Sequence, residues 1–340
     1  MGRAAGSRRR FARLAFERLE DRHLLAVTLD TLHSFAGEQV APATPLTSAG
    51  SILYGVTEYG GNDSQGSVYA INANGAGYRV LYSFSGLDGS DPAAGLTLVG
   101  STLYGTTASG GNYDYGTIFS INTNGSGFQT LHSFSGNDGA EPAANLTLGG
   151  STLYGTTESG GSSDDGTIFS INTDGSDLQT LYSFSTASID VGALTLGGST
   201  LYGTTGAGGS NDHGTIFSVN TNGTGFQTLD SFYPYDGQTP DSQLALVGST
   251  LYGTIETYTT PFSSVAGGLF SVNINGSNFQ ILNNSLDYPT SSLTVSGSTL
   301  YGTTEMGGNN GFGTLYSIHT DGSSFTTLGL QRNLWVKSVV

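Results

Sequence analysis

The chain has 340 residues, of which 53 are glycine and none is cysteine; only 11% are charged, and the formal net charge is −16. Without cysteine there is no disulfide, thiolate metal site or cysteine nucleophile, and no apolar run approaches the roughly 18 residues that read as a membrane span. Residues 1–25 hold seven arginines against Glu17, Glu20 and Asp21, which leaves three basic and 23 acidic residues, a net of −20, for the rest. Such a body repels nucleic acid, having no basic patch to displace phosphate counterions, and favours neutral or cationic partners such as a glycan or peptide.

Residues 1–27 form a basic N-terminal sorting tag or arm, ahead of a repeat domain at 28–330 and a tail at 331–340. In the tag, Phe11, Leu14, Ala15, Arg18, Leu19 and Arg22 fall at helical spacing, which suits a short amphipathic helix or an unstructured arm alike. Ser7-Arg8-Arg9-Arg10-Phe11 has the form of a twin-arginine export signal, but Arg13, Glu17, Arg18, Glu20 and Asp21 interrupt the uncharged stretch that should follow. The run from Phe16 to Leu25 resembles the LEPR-XLL type of N-terminal motif. Leu19-Glu20-Asp21-Arg22 stands where that motif has Leu-Glu-Pro-Arg, and Leu24-Leu25 match its paired leucines. The resemblance implies export to the surface or exterior of a bacterial cell.

Beyond the tag, a Tyr-Gly pair recurs at Tyr54, Tyr104, Tyr154, Tyr202, Tyr252 and Tyr301, with spacings of 50, 50, 48, 50 and 49 residues. A period this regular marks a repeat architecture. Each period holds four runs suited to strands; in the second they are a (Ala94–Leu98), b (Thr102–Thr107), c (Thr117–Asn122) and d (Phe128–Phe134). Short links such as the hairpin turn at Asn124-Gly125 force an antiparallel meander. In strand c, Ile118, Phe119 and Ile121 put apolar groups on both faces, so each small sheet must be sandwiched between neighbours.

The predicted fold is therefore all-β: a β-propeller of six four-stranded blades, with the six tyrosines as its structural repeat and Tyr104, Tyr154 and Tyr202 filling equivalent sites between blades. A β-helix would also stack repeats, but its coils are shorter and less hairpin-like. Runs a, b and c occur six times and d seven times, the additional copies being Thr28–Phe35 and Phe325–Leu330. Either end of the chain could complete the sixth blade, and a larger ring is also compatible.

From Leu32 to Leu328 the chain resembles the Gloeo/Verruco (GloVer) tandem-repeat family. The likeness rests on Leu131-His132-Ser133-Phe134, Asp138-Gly139, Pro142, Leu153-Tyr154-Gly155-Thr156-Thr157, Gly160-Gly161 and Gly166-Thr167-Ile168-Phe169, repeated in six copies. It implies an exported bacterial protein with no assigned activity.

His33 and His132 occupy a slot in run d that elsewhere holds Tyr82, Tyr182, Asp230 or Asn283, which reads as a solvent-facing or rim position, and no histidines stand at metal-ligand spacing. Gly160-Gly161 and its copies join two strands, with no helix to present to a phosphate. In a meander the b–c and d–a links emerge on one face, which collects Asp63, Asp114, Asp164, Asp165 and Asp212 from the former and Asp88, Asp91, Asp138, Glu141, Asp236 and Asp241 from the latter, with Glu58, Glu158, Glu256 and Glu305 near the same side. These are turn formers, or oxygen ligands that could take Ca2+ as the one cofactor in view. A glycosidase needs two particular carboxylates, and those here have near-equivalents in other repeats.

The fifth repeat breaks the symmetry. Gly253 to Gly268 spans 15 positions against 11 for Gly155 to Gly166, adding Tyr258, Pro261 and Phe262 beside Glu256. This longer loop, with Glu256 and Tyr258, is thus the best single candidate for a binding site. The functional expectation is a non-catalytic, exported or surface-associated binding scaffold with no catalytic residue. The alternatives are a carbohydrate-active hydrolase or lyase, and a purely structural module.

Overall fold

The computed structural model describes residues 32–35, 44–185, 191–233, 240, 242–256, 258–260, 263–265, 267–289, 292–308, 311 and 313–328. The tag at 1–27, the tail at 331–340, and Pro261 and Phe262 lie outside these residues. Among the described residues the regular structure is all strand, and it forms six four-stranded sheets and one two-stranded hairpin.

Blade 1 contains β1 (Thr47–Ala49), β2 (Ile52–Thr57), β3 (Ser67–Asn72) and β4 (Arg79–Ser83). Blade 2 contains β5 (Thr97–Val99), β6 (Thr102–Thr107), β7 (Thr117–Asn122) and β8 (Gln129–Ser133). Blade 3 contains β9 (Thr147–Gly149), β10 (Thr152–Thr157), β11 (Thr167–Asn172) and β12 (Gln179–Ser183). Blade 4 contains β13 (Thr195–Gly197), β14 (Thr200–Thr205), β15 (Thr215–Asn220) and β16 (Gln227–Ser231). Blade 5 contains β17 (Ala245–Val247) and β18 (Thr250–Ile255), then the hairpin β19 (Tyr258–Thr260) and β20 (Ser263–Val265), then β21 (Gly267–Asn273) and β22 (Gln280–Leu286). Blade 6 contains β23 (Thr294–Ser296), β24 (Thr299–Thr304), β25 (Thr314–His319) and β26 (Thr326–Leu328). Every sheet is an antiparallel meander in chain order, and β18 pairs directly with β21 across the inserted hairpin.

Runs b and c form as the sequence predicts, but run a pairs over only Thr97–Val99 rather than Ala94–Leu98. The innermost strands approach one another near the axis, as β9 does β13 and β17 does β23. Residues just before them turn inward instead of extending the ladder. Run d is trimmed to Gln129–Ser133, and a bulge between Ile118 and Phe119 shifts its register.

The recurrent Tyr-Gly pair has a packing cause. Gly105 lies opposite Phe119 across the β6–β7 ladder, and the Phe119 ring covers it: a Cβ there would sit 2.6 Å from the ring and 3.0 Å from Leu96. The tyrosine beside it points the other way, into the next blade. Tyr54, Tyr104, Tyr154, Tyr202 and Tyr252 are buried, each in an apolar layer that also contains the next blade's Leu103, Leu153, Leu201, Leu251 or Leu300. Five such layers join blades 1 to 6 in series. Near the axis, Thr97 Oγ1 donates to the Leu146 carbonyl at 2.6 Å and Thr195 Oγ1 to that of Leu244 at 2.5 Å, hydroxyl latches from one blade to the next.

The two chain ends resolve the count of d runs. β26 pairs with β25, Tyr316 opposite Thr327, so the C-terminal strand completes blade 6. Leu32–Phe35 packs on blade 1, with His33 stacked on Tyr78 and Phe35 edge-on to Tyr69.

Candidate functional site

Backbone hydrogen bonds fasten the b–c and d–a links into one loop face. Ser90 and Ser109 exchange N–H···O bonds of 2.9 and 3.1 Å, Ala140 and Ser159 do the same at 2.8 and 3.1 Å, and the Gly161 N–H donates to the Gly136 carbonyl at 2.8 Å. These bonds fix the two kinds of link relative to each other.

Five of the carboxylates expected on this face, Asp88, Asp114, Asp138, Asp164 and Asp212, serve the loops themselves. Asp138 Oδ1 accepts from the Ser135 N–H at 2.8 Å and its hydroxyl at 2.9 Å, while Oδ2 lies 2.8 Å from His132 Nε2. Burial pushes the Asp138 pKa up, but these bonds and the proximity of His132 outweigh it and hold the carboxyl below its ordinary range. Asp88 holds the preceding loop in the same way, with Tyr82 in place of the histidine. The slot of His132 and Tyr82, expected to be a solvent-facing or rim position, is consequently not solvent-facing. Both side chains are half-buried and fasten their own d–a loop.

Asp114, Asp164 and Asp212 adopt left-handed backbone (φ 63°, 65° and 59°), and each accepts an N–H from the glycine four residues earlier at 2.9–3.0 Å. A short carboxylate that bonds its own loop suits that conformation. Glu141 is also left-handed and exposed, bonded through its backbone to Tyr115 and Glu158. Asp165 and Glu256 are partly exposed, and only the backbone of Tyr258 is described, in the hairpin that projects from blade 5. Among the described residues no three His, Asp or Glu side chains are grouped to hold a metal ion.

Two features of the face were not singled out from the sequence. The first is a single-copy pair where blades 1 and 2 meet. Asp91 has a buried Oδ1 without a hydrogen-bond partner, and burial raises its pKa. Glu58 is raised by burial and by the charge of Asp91, and the two charges raise the neighbouring Tyr59 hydroxyl as well. In the next repeat Ala108 stands in place of Glu58, a substitution a close comparison of repeats would have shown.

The second feature is an axial cavity of about 1150 Å³, lined by residues from all six repeats. Its wall is made of small, neutral residues such as Ala93, Gly95, Ala143, Ala144, Gly192 and Ser242, with Glu158 its one charged side chain. The repeated Pro-Ala-Ala (92–94, 142–144) was the available signal, since only small side chains fit where six blades converge.

Exposed apolar side chains also gather on the loops. Tyr59, Tyr113 and Tyr115 stand in b–c links and Leu87 and Tyr233 in d–a links, with Leu87 81% and Tyr113 61% exposed. Arg79, at the far end of β4, is the one basic residue other than histidine among the described residues. No helix among them is long and apolar enough to cross a membrane.

A family model described as the Gloeobacter/Verrucomicrobia repeat matches residues 23–195 and 186–330. No curated protein matches the sequence. Among solved structures, the chain is similar to one in the crystal structure of a nidogen/laminin complex, at 16% identity and a TM-score of 0.51, covering 77% of this chain and 89% of that one. It is also similar to the GH74 enzyme of Niastella koreensis, at 14% identity and a TM-score of 0.58, covering 85% of this chain and 45% of the enzyme. At such identities the likeness shows the propeller fold alone.

Proposed function

Because the chain belongs to the Gloeobacter/Verrucomicrobia repeat family and folds as a propeller, we propose that it is a non-catalytic binding scaffold whose loop face takes a glycan or peptide. The observation that supports this reading is the set of exposed aromatic and apolar side chains, Leu87, Tyr113 and Tyr115 above all, on loops already fastened by backbone bonds. Exposed aromatic rings with a polar tip contribute large contact area at low entropic cost and occur where proteins bind glycans and proteins. The arginine-rich tag and its LEPR-XLL-like run support export to the cell surface or exterior. The net charge of −16 allows cationic partners, Ca2+ among them. A melting-temperature rise greater in Ca2+ than in NaCl of equal ionic strength would mark a calcium site.

The test is a glycan and peptide array probed with the whole chain, followed by titration of any hit against Tyr113→Ala and Tyr115→Ala. Binding that these variants weaken supports the loop face, whereas binding they leave unchanged places the contact elsewhere.

One observation favours a second reading, a carbohydrate-active hydrolase or lyase. Two carboxylates raised in pKa, with Glu58 in the field of Asp91, are candidates for the acid and base that such chemistry needs. Turnover of a polysaccharide by the parent, abolished in both Asp91→Asn and Glu58→Gln without loss of fold, would establish it.

A further inference from the structure

Blade 6 presents the side that blades 1 to 5 bury, and among the described residues no further blade covers it. Tyr301, Leu315 and Ser317 are half-buried there, while Tyr252, Leu269 and Ser271, the same positions of blade 5, are buried. Thr294, which replaces the latching threonine Thr195 of blade 4, is exposed. The axial cavity runs out over this side, since Tyr301 and Leu315 line it. Among the described residues no apolar layer joins blade 6 to blade 1.

On the other side of the opening, Leu32–Phe35 repeats the contacts of a d strand with the blade that follows it. Phe35 meets Tyr69 at 5.4 Å and 69°, as Phe84 meets Phe119 at 5.1 Å and 68°. His33 stacks on Tyr78 at 4.3 Å, as Tyr82 does on Phe128 at 3.6 Å. The d place of blade 6 is already filled by β26, so Leu32–Phe35 belongs to another blade. Among the described residues it has no ladder partner, whereas β4, β8, β12 and β16 each pair with a c strand. Leu46 of blade 1 is 45% exposed, against 5% for its counterpart Leu96.

We infer that the ring has a seventh position, that Leu32–Phe35 is its outer strand, and that the open side of blade 6 is a docking surface for the three strands that complete it. The occupant is a three-stranded β unit of this same repeat type, strands a, b and c. The argument is continuity with five existing junctions. In each, the side that carries the repeat tyrosine is covered by a Leu from the run before strand a, a Leu from strand b and an aromatic plus Ile or Val from strand c of the next repeat. Adding a blade in this way is completion by strand addition, in which pairing with the waiting strand contributes ladder bonds and the side chains set the register.

The probe is a synthetic peptide spanning residues 92–122, which contains strands a to c of the second repeat, titrated into the whole chain by calorimetry and native mass spectrometry. The expected result is one peptide per chain with a raised melting temperature, and affinity at least about tenfold weaker in Leu315→Glu. Thr294→Arg, at an exposed position, gives a second variant should Leu315→Glu disturb the fold by circular dichroism. Failure to bind one peptide, or binding that neither variant weakens, overturns the inference. So does a concentration-dependent dimer abolished by the same variants, which would give the surface to a second copy. Peptide binding that appears only after removal of residues 329–340 would assign it to the chain's own C-terminal segment and overturn it too.

Discussion

Blades 2 and 6 carry almost the same strands, yet one side of each meets a different fate. Tyr104, Thr106, Ile118 and Ser120 of blade 2 are buried against blade 3. Tyr301, Thr303, Leu315 and Ser317 are their equivalents in blade 6 and remain half-buried or exposed. The strand sequence determines which side chains point forward, but their burial belongs to the pair of repeats. Stability in such a ring is then a sum of blade terms and junction terms, and the two can be separated by substitution.

The largest effect should separate the blades most clearly. Tyr104→Ala empties a filled site in a junction and should cost about 2–5 kcal/mol, as other large core truncations do. Tyr301→Ala removes a ring already in contact with water and should cost about 1 kcal/mol or less. Urea unfolding of the two variants compares them directly; equal losses would mean that blade 6 is covered in solution. The glycines should behave in the opposite way. Gly105→Ala forces a Cβ to 2.6 Å from Phe119, and Gly302→Ala drives one into Tyr316, in each case within a single blade. Both should therefore cost a similar amount, about 1–3 kcal/mol by overpacking. A mild Gly302→Ala beside a severe Gly105→Ala would show that the clash depends on the neighbour after all.

This division also explains what could be read from the sequence. Strands b and c were legible to the residue, because Leu-Tyr-Gly-Thr-Thr and Gly-Thr-Ile-Phe-Ser carry period-two patterning and a glycine that an aromatic ring must cover. The meeting of the b–c and d–a loops followed from the meander. Strand a was overestimated because convergence at the axis, a property of six repeats together, turns Ala94 to Leu96 out of the ladder. The axial cavity stayed hidden for the same reason: alanine and glycine carry no chemical signature until the ring gathers them. The roles of Asp138 and Asp164 as loop fasteners were contained in the turn reading, but the Asp91–Glu58 pair depends on contact between adjacent repeats. Closure is the extreme case, since the d runs at the two ends look alike and only pairing with β25 tells them apart.

The junction between blades 2 and 3 can be loosened from its loop. The Asp138 carbonyl accepts from Thr167 Oγ1 of blade 3 at 3.3 Å, and its carboxylate holds the turn in which that carbonyl sits. Asp138→Ala should cost about 1–2 kcal/mol at pH 7, through the lost bonds to Ser135 and His132. Its folded pKa lies below the ordinary 3.8, so its stabilisation is complete above that value and is lost as pH falls through the folded pKa. Thermal melts should show parent and variant converging in acid. A gap that held constant with pH would point to a role independent of the charge.

The junction between blades 1 and 2 should respond with the opposite sign, and least of all. Here Asp91 lies at the seam with an unbonded buried oxygen, and its N–H donates to the Gln65 carbonyl of blade 1 while its own carbonyl accepts from Ala108 of blade 2. Burial raises its folded pKa above 3.8, so the ionised carboxylate opposes folding. The penalty is full above the folded pKa and vanishes once pH falls below the unfolded value. Asp91→Asn keeps the shape and removes the charge, which should stabilise the fold at pH 7. The gain should be only a few tenths of a kcal/mol, because the group is partly open to water that screens it. It should also disappear in melts taken well below pH 4, where parent and variant are both neutral. If Asp91→Asn instead destabilised the chain at pH 7, the carboxylate would have a partner in solution, and the seam would be fastened there by the charge rather than strained by it.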